Sequence, residues 1–252
     1  MRFTRQSASS EREYEIDLMN RPLVSVIVPV FNGGRYICDA LRSAFGQDYR
    51  PIEVIVVDDG STDNTAKVVR SFKDVIYIYQ PNQGVAAARN VGISLSQGEF
   101  IAFLDADDLW AGDKLTRQIG WLLEHPETGY VTALFRNFLE KGTTRPAWLK
   151  EEQLVEDQRG GVPNLVVRKS VFKRIGAFDA NLRSGSDLGW VLCAKDAGIS
   201  GFMLPHILLQ RRIHGSNLSY QWKGGKSLLI KSLKESIDRQ RAAKDQTKTD
   251  WK

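Results

Sequence analysis

Short runs of β-branched and apolar residues alternate with helical patterns along most of this chain. The first two runs are residues 23–28 and 52–57, and a helical pattern at 36–45 lies between them. Strands that are apolar on every residue are buried on both faces, as in parallel sheets covered by helices. The β-α-β-α order therefore predicts an α/β fold with a mainly parallel central sheet between two helical layers.

The same alternation continues to about residue 213, and no internal repeat interrupts it. Further helices are predicted at 64–72, 85–95, 109–125, 169–175 and 187–197, and further strands at 75–79, 100–104, 130–138, 163–167 and 208–213. The charged stretch 139–161 lacks periodicity and contains several turn-forming residues. We expect it to form a loop over the ligand-binding edge of the sheet.

The 252 residues, 42% of them hydrophobic and 26% charged, suit one globular domain. Residues 1–20 are polar and predict a loosely held arm, residues 21–225 the folded domain, and 226–252 a basic tail. That tail carries eight lysines and arginines against four acidic residues, so it accounts for most of the net charge of +5. A basic groove for nucleic acid is therefore not expected in the domain.

The tail places five apolar residues among its basic side chains, a pattern typical of an amphipathic helix. They are Leu228, Leu229, Ile230, Leu233 and Ile237. Two alternatives remain open: the tail docks on the domain, or it contacts the inner face of a membrane. The chain has no apolar run long enough to span a bilayer, and Cys38 and Cys193 form no CxxC pair. Both features predict a cytoplasmic protein.

Two acidic turns directly follow predicted buried strands. Asp58 and Asp59 end the strand at 52–57, and residues 105–108 (DADD) follow the strand at 100–104. Ligands of open parallel sheets bind beyond the carboxyl ends of the strands. Clustered carboxylates repel one another unless a cation is bound, and Mg²⁺ or Mn²⁺ suits such ligands. The alternatives are helix caps at Asp63 and Asp108.

Four segments stand in order along the chain: VSVIVPVFN at 24–32, VVDDGSTD at 56–63, GVAAARNVG at 84–92 and FLDADDLW at 103–110. Together they closely resemble the family 2 glycosyltransferases of the GT-A fold, a Rossmann-like α/β/α sandwich. The resemblance covers about residues 22–215. It implies an inverting transfer of a sugar from a nucleotide-diphospho-sugar, commonly UDP-linked, with a divalent metal, to a sugar, lipid-linked or protein acceptor.

The resemblance also implies roles for single residues. It places Pro29, Val30 and Asn32 near the nucleoside, Asp59 on the base, Arg89 near base or diphosphate, Asp105 near the ribose and Asp107 on the metal. From the residue alone, Arg89 offers a planar donor fork, although a solvated surface arginine is the alternative. His214, in RRIHGSN at 211–217, resembles a late segment that closes on the diphosphate or metal. A structural histidine is the alternative there.

Inversion requires a base that takes the proton of the acceptor hydroxyl. The family usually supplies it from a Glu-Asp pair opening a late helix, and here Ser186 replaces the glutamate while Asp187 remains. Asp187 is therefore the predicted base, with helix capping as the alternative. Trp190, one turn later, is a candidate for stacking on an acceptor sugar or for core packing.

Two other functions fit parts of this pattern. A sugar nucleotidyltransferase also uses a Rossmann-like sheet with metal carboxylates, but it needs a glycine-rich, basic phosphate loop after the first strand. Residues 29–32 (PVFN) match that loop poorly. A non-catalytic scaffold that binds nucleotide sugars would keep the acidic turns without using Asp187 as a base.

Overall fold

The computed structural model describes residues 21–147, 149–159, 161–181, 186–217, 233–234 and 236–240. Its strands are β1 Val24–Val30, β2 Ile52–Asp58, β3 Val75–Tyr79, β4 Phe100–Phe103, β5 Leu109–Trp110, β6 Thr128–Leu139, β7 Gln158–Arg159, β8 Val166–Arg168 and β9 Ser200–Ile213. Its helices are α1 Ile37–Phe45, α2 Thr65–Val69, α3 Val85–Leu95, α4 Lys114–Glu124, α5 Glu152–Val155, α6 Lys169–Ile175 and α7 Ser186–Asp196, with a 3-10 turn at Val162–Asn164.

One sheet contains all of these strands. Its order is β3-β2-β1-β4-β8-β6-β9-β5, with β7 beside β6. The half that carries the acidic turns is wholly parallel, because β1 pairs in parallel with β2 and β4, and β2 with β3. In the other half, β8 runs antiparallel to β4 and β6, while β6 and β9 form a long parallel ladder. The predicted α/β fold is confirmed.

Helical layers cover the two faces of the sheet, as the fully buried strand β1 requires. Successive side chains of a strand point to opposite faces. Val24, Val26 and Val28 accordingly pack into a core with α1 and α4, whereas Ile27 packs into a second core with α3, α6 and α7. This division is the α/β/α sandwich.

The predicted helix 109–125 is wrong in its first five residues. Leu109 and Trp110 form β5 and pair antiparallel with Gln210 and Leu209. The helix begins only at Lys114. In the sequence, this apolar pair fits a helical pattern. In the fold, the backbone groups of the pair bond to β9, a strand more than ninety residues further along the chain.

Three further boundaries differ from the sequence prediction. The strand predicted at 163–167 begins as the 3-10 turn around Pro163 and becomes β8 only at Val166. The strand predicted at 208–213 starts earlier, at Ser200. The stretch 139–161 contains the short helix α5 and the strand β7, which pairs with β6. Local periodicity is too weak to show these pairings.

A chain of buried polar side chains supports an irregular point in the β6–β9 ladder. The ladder skips Pro205 and His206, so Ala133 pairs with Leu204 but the next residue pairs with Ile207. Proline has no N–H to donate. Asn164 Nδ2 instead donates to the carbonyl oxygens of Ala133 at 2.7 Å and Leu134 at 3.0 Å.

The same polar chain continues to a buried lysine. Gln118 Nε2 donates to the carbonyl oxygens of Asn164 and Val131 at 2.9 and 3.2 Å, and its Oε1 accepts from Lys114 Nζ. The Lys114 nitrogen lies 4.4 Å from the centroid of the Trp110 ring. Burial in this apolar surrounding lowers the pKa of Lys114 well below its usual value.

The first described residues of the tail dock on the end of α7. Ser236, Arg239 and Gln240 each donate a side-chain hydrogen bond of 2.9 Å to Asp196. Burial raises the pKa of Asp196, but these hydrogen bonds outweigh it and lower the pKa. Docking on the domain is thus the alternative that the described part of the tail supports. Leu233 and Ile237 are 42% and 49% exposed.

Residues 1–20 and Leu228, Leu229 and Ile230 lie outside the described residues. Within the ranges that are described, no helix has the length and apolar character needed to cross a membrane.

Lys114 is predicted to make stability depend on pH. Between its lowered pKa and the usual value near 10.4, the unfolded chain binds a proton that the folded chain does not. The free energy of unfolding therefore rises with pH, by up to about 1.4 kcal/mol per unit from this one group. Lys114→Met is expected to remove that contribution in urea unfolding between pH 8 and 10. Lys67→Met, at an exposed lysine, serves as the control. If the free energy of unfolding changes equally with pH in the unaltered chain and in both variants, the prediction is contradicted.

Candidate active site

The loops that follow β1 and β2 are joined by hydrogen bonds from Asn32. Its Oδ1 accepts from the Thr62 N–H at 2.8 Å, and its own N–H donates to Ser61 Oγ at 2.8 Å. The φ of Asn32 is 50°, in the left-handed region that asparagine tolerates better than most residues. The two ligand-side loops are thus fixed relative to each other by the protein itself.

Asp63 fixes the same loops at a second point. Its Oδ1 accepts from the Thr65 N–H at 2.9 Å and its Oδ2 from the Gly34 N–H at 3.0 Å. Burial raises the pKa of Asp63, but the hydrogen bonds from Thr65 and Gly34 outweigh this and lower it. The N-cap of α2 is Asn64, so the helix-capping alternative for Asp63 is wrong by one residue, and Asp63 instead binds the N–H of Thr65, the first residue of the helix.

Asp59 holds the segment that leads into α3. Its Oδ1 accepts from Gln80 Nε2 and the Gln83 N–H at 2.7 and 2.9 Å, and its Oδ2 from the Gly84 N–H at 2.8 Å. A carboxylate has about four acceptor positions, so one remains for a ligand. Asp59 is only 4% exposed. Its predicted contact with a base stays a prediction.

The residues predicted near the nucleoside differ in exposure. Pro29 and Val30 are buried within β1, so they form the floor of the site. Phe31, between Val30 and Asn32, is 53% exposed. Phe31 was not predicted as a site residue. In the sequence it is marked as an aromatic residue directly after a strand that is otherwise apolar and buried.

Arg89 joins two of the predicted site residues. Its Nη1 donates to Asp187 Oδ1 and its Nη2 to Asp105 Oδ1, both at 2.8 Å. The side chain is 3% exposed, which excludes the solvated surface alternative. Burial disfavours the charged guanidinium, but the two carboxylates outweigh it and raise the pKa of Arg89. Asp187 on α7 thereby lies beside the acidic turn that follows β4.

The acidic turn carries excess negative charge. Burial raises the pKa of Asp105, the Arg89 charge opposes this, and the Asp107 charge adds to it. Burial and the charges of Asp107 and Asp105 raise the pKa of Asp108 well above its usual value. Asp108 Oδ1 accepts from the Arg212 N–H at 3.0 Å. The helix-cap alternative for Asp108 is wrong, because α4 begins six residues later.

Asp107 and His214 form the pair that fits a divalent cation. His214 Nε2 lies 3.0 Å from Asp107 Oδ2, which also accepts from Asn217 Nδ2 at 2.9 Å. No group of three or more metal-binding side chains exists among the described residues. Mg²⁺ is commonly held by one or two protein ligands together with phosphate oxygens and water. A carboxylate beside an imidazole at the strand ends suits that arrangement.

The start of α7 settles the alternatives for Trp190. Its side chain is 3% exposed, its Nε1 donates to the Gly176 carbonyl at 3.1 Å, and its ring lies 5.0 Å from that of Phe172. A ring this deeply buried presents no face to an acceptor sugar. The predicted acceptor contact is therefore wrong, and core packing is correct. Residues 182–185, which directly precede α7, lie outside the described residues.

The sequence model of the group described as Glycosyl transferase family 2 matches residues 25–180, more than half of the chain. This chain belongs to glycosyl transferase family 2.

Relatives of this family 2 chain include TuaG of Bacillus subtilis, whose name assigns it to teichuronic acid biosynthesis. It is 30% identical over 218 residues, which are 82% of this chain and 85% of TuaG. An uncharacterized glycosyltransferase of Rickettsia typhi is 31% identical over 207 residues, or 77% of this chain. The chain spans 64% of that relative and 45% of a glycosyltransferase from Haemophilus influenzae.

Solved structures share the fold of this family 2 chain. TarS of S. aureus in complex with UDP has a TM-score of 0.63 and 25% identity, and covers 75% of this chain and 60% of its own. The mannosyltransferase PcManGT of Pyrobaculum calidifontis, in complex with GDP-Man and Mn²⁺, has a TM-score of 0.70 at 21% identity. That alignment covers 88% of this chain and 66% of the other.

In this family 2 chain, Arg89→Met is predicted to lower the free energy of unfolding by about 2–3 kcal/mol, because it leaves Asp105 and Asp187 without their cation. Fully buried pairs lose about 3–5 kcal/mol, and here the partial exposure of both carboxylates reduces the cost. Urea unfolding measures the change. Arg117→Met, which breaks an exposed pair with Asp113, should cost less than about 1 kcal/mol. Equal losses in the two variants would contradict the proposed bridge.

Proposed function

We propose that this chain transfers a glycosyl group from a nucleotide-diphospho-sugar to an acceptor hydroxyl, with inversion at the anomeric carbon. The observation that carries the proposal is the Arg89 bridge. It holds the carboxylate of Asp187 beside the acidic turn of Asp105 and Asp107. The carboxylate that we propose as the base thus lies next to the residues that we propose for the donor.

The hydrogen bonds of Asp59 support UDP as the nucleotide. With three protein donors already bound, this carboxylate has one acceptor position left for a base. Uracil offers one N–H on its pairing edge, whereas guanine offers two adjacent donor groups. The UDP complex of TarS, 25% identical to this chain, supports the same choice. Pro29, Val30 and Asn32 would border the nucleoside, and Asp105 the ribose.

Asp107 and His214 are proposed to hold Mn²⁺ or Mg²⁺ together with the diphosphate. When bound, such a cation neutralises the negative charge that develops on the leaving nucleoside diphosphate. Asn217 and His214 both hydrogen-bond Asp107 Oδ2. They therefore fix this carboxylate before the donor arrives.

Asp187 is proposed to act as the general base. Within the described part of the chain, its hydrogen bonds from Arg89 and Ser186 both end on Oδ1, which leaves Oδ2 to accept a proton. The acceptor oxygen attacks the anomeric carbon, the bond from that carbon to the diphosphate oxygen breaks, and the hydroxyl proton passes to Oδ2. The nucleoside diphosphate leaves from the opposite face, and the configuration inverts.

The acceptor is proposed to be a sugar hydroxyl of a polysaccharide or glycoconjugate, free or attached to lipid or protein. The naming of TuaG for teichuronic acid biosynthesis supports this class.

Cys38 and Cys193 are both free thiols, which accords with a cytoplasmic location.

Nucleotide binding tests the donor site directly. UDP with Mn²⁺ is expected to raise the melting temperature of the full chain, since a ligand at a hundred times its Kd stabilises the folded state by about 2.7 kcal/mol. GDP with Mn²⁺ and UDP with EDTA should give smaller shifts in a thermal-shift assay. If no nucleotide shifts the transition with or without Mn²⁺, the donor site does not exist.

The role of Asp187 is tested by Asp187→Asn, which keeps the shape of the side chain and removes its basic oxygen. We expect the rate of sugar transfer to fall about 10²–10⁴-fold, while binding of UDP with Mn²⁺ changes by no more than a few-fold. Asp74→Asn, at an exposed turn before β3, is the matched control. Unchanged transfer in Asp187→Asn would exclude it as the base, and donor binding without transfer in the unaltered chain would indicate a scaffold.

A further inference from the structure

The ring of Tyr36 packs directly on the imidazole of His214. The two centroids are 4.3 Å apart and the planes are inclined by 30°. Tyr36 lies just before α1 and is 8% exposed, and His214 is 4% exposed. The guanidinium carbons of Arg212 and Arg35 each lie 5.3 Å from the centroid of the tyrosine ring. One face of His214 is therefore defined by an aromatic ring from the β1–α1 connection.

Glu140 fixes the position of that tyrosine. Tyr36 donates its hydroxyl hydrogen to Glu140 Oε2 at 3.0 Å, and Arg35 Nη2 lies 2.9 Å from Glu140 Oε1. The Glu140 N–H donates to the Ile213 carbonyl at 3.0 Å, one residue before His214. The Glu140 side chain is only 14% exposed. Tyrosine and histidine are thus tied to the same point where β6 and β9 end.

The edge of the imidazole is also fixed. Nε2 faces Asp107 Oδ2 at 3.0 Å, and Nδ1 lies 2.9 Å from Ser216 Oγ. When Nε2 serves as a ligand, the ring proton resides on Nδ1, where a hydroxyl oxygen can accept it. The serine hydroxyl can donate to or accept from Nδ1, and the Ser216 N–H also donates to Nδ1 at 3.3 Å, which matches the tautomer with its proton on Nε2. What remains to be fixed is the tilt of the ring, and among the described residues Tyr36 is the aromatic ring that stacks on it.

We propose that Tyr36 and Glu140 are positioning residues for His214, and that they set the affinity of the site for a divalent cation with bound nucleotide. The inference rests on the proposed function, because it takes Asp107 and His214 as the cation ligands. Neither residue touches the donor. Tyr36 acts through the tilt of the imidazole, and Glu140 acts through Tyr36.

A purely structural role for Tyr36 makes a different prediction. Loss of packing alone would lower the melting temperature and weaken UDP binding equally with and without Mn²⁺. A positioning role weakens Mn²⁺ uptake and leaves UDP binding in EDTA unchanged. Residues that orient a metal-binding histidine typically affect metal affinity about 10–100-fold.

The test uses the full chain with saturating UDP, and measures free Mn²⁺ by electron paramagnetic resonance. Tyr36→Leu removes both the ring and its tether, and is expected to raise the apparent Kd for Mn²⁺ at least about tenfold. Tyr36→Phe and Glu140→Ala keep the ring but lose the phenol hydrogen bond, and each should raise it about threefold. Tyr79→Leu, at an edge-strand tyrosine that is 60% exposed, is the matched control. UDP binding in EDTA, by calorimetry, should not change in any variant.

The outcomes separate this inference from the proposed function. If the unaltered chain takes up no Mn²⁺ with UDP, the cation site is excluded and the inference with it. If the unaltered chain takes up Mn²⁺ and Tyr36→Leu matches it, the inference alone is overturned. Should Tyr36→Leu fail to fold, unaltered Mn²⁺ affinity in both Tyr36→Phe and Glu140→Ala overturns it instead.

Discussion

The buried guanidinium of Arg89 is the interaction on which the arrangement of the candidate site depends. A charge this deeply buried is tolerated only when it is paired and hydrogen-bonded, and its two Nη atoms each bind one carboxylate. Its carbon also lies 5.8 Å from the ring centroid of Phe178. Asn90, the next residue on α3, donates to the Phe178 carbonyl and accepts from its N–H. One turn of α3 thereby fixes both the acidic turn and the start of α7.

In the second half of the sheet, the β6–β9 ladder positions His214 and Glu140, and its register shifts along its length. Side chains of a strand alternate between faces, so a shift in pairing decides which ones point toward the site. Pro205 prevents regular pairing, and beyond it Leu139 pairs with Ile213. The carbonyl oxygens released at this point are satisfied by Asn164, behind which lie Gln118 and Lys114. The chain of polar side chains that satisfies these carbonyl oxygens therefore ends at Lys114, a buried lysine with a lowered pKa.

The parallel half of the fold could be predicted because it is encoded locally. Strands β1, β2 and β4 are continuous apolar runs, and each ends in polar turn residues that mark the ligand side. Features that depend on partners distant in sequence could not be predicted. The pairing of Leu109 with Gln210 and the ring of Tyr36 on His214 leave no periodic signal. The site was predicted as separate residues, whereas the bridge between Asp105 and Asp187 is visible only in three dimensions.

The charges around the acidic turn favour a cation at this end of the sheet. Asp105, Asp107, Asp108 and Asp187 lie around the end of β4. The Arg89 guanidinium binds the carboxylates of Asp105 and Asp187, and the backbone N–H of Arg212 binds that of Asp108. Arg212 reaches Asp107 only through its carbonyl oxygen, so the Asp107 carboxylate gains little from it. Burial is the largest cause of the raised pKa values of Asp105 and Asp108, and the charges of the neighbouring carboxylates add to it. A diphosphate would add further negative charge, so a cation bound at Asp107 would favour its binding.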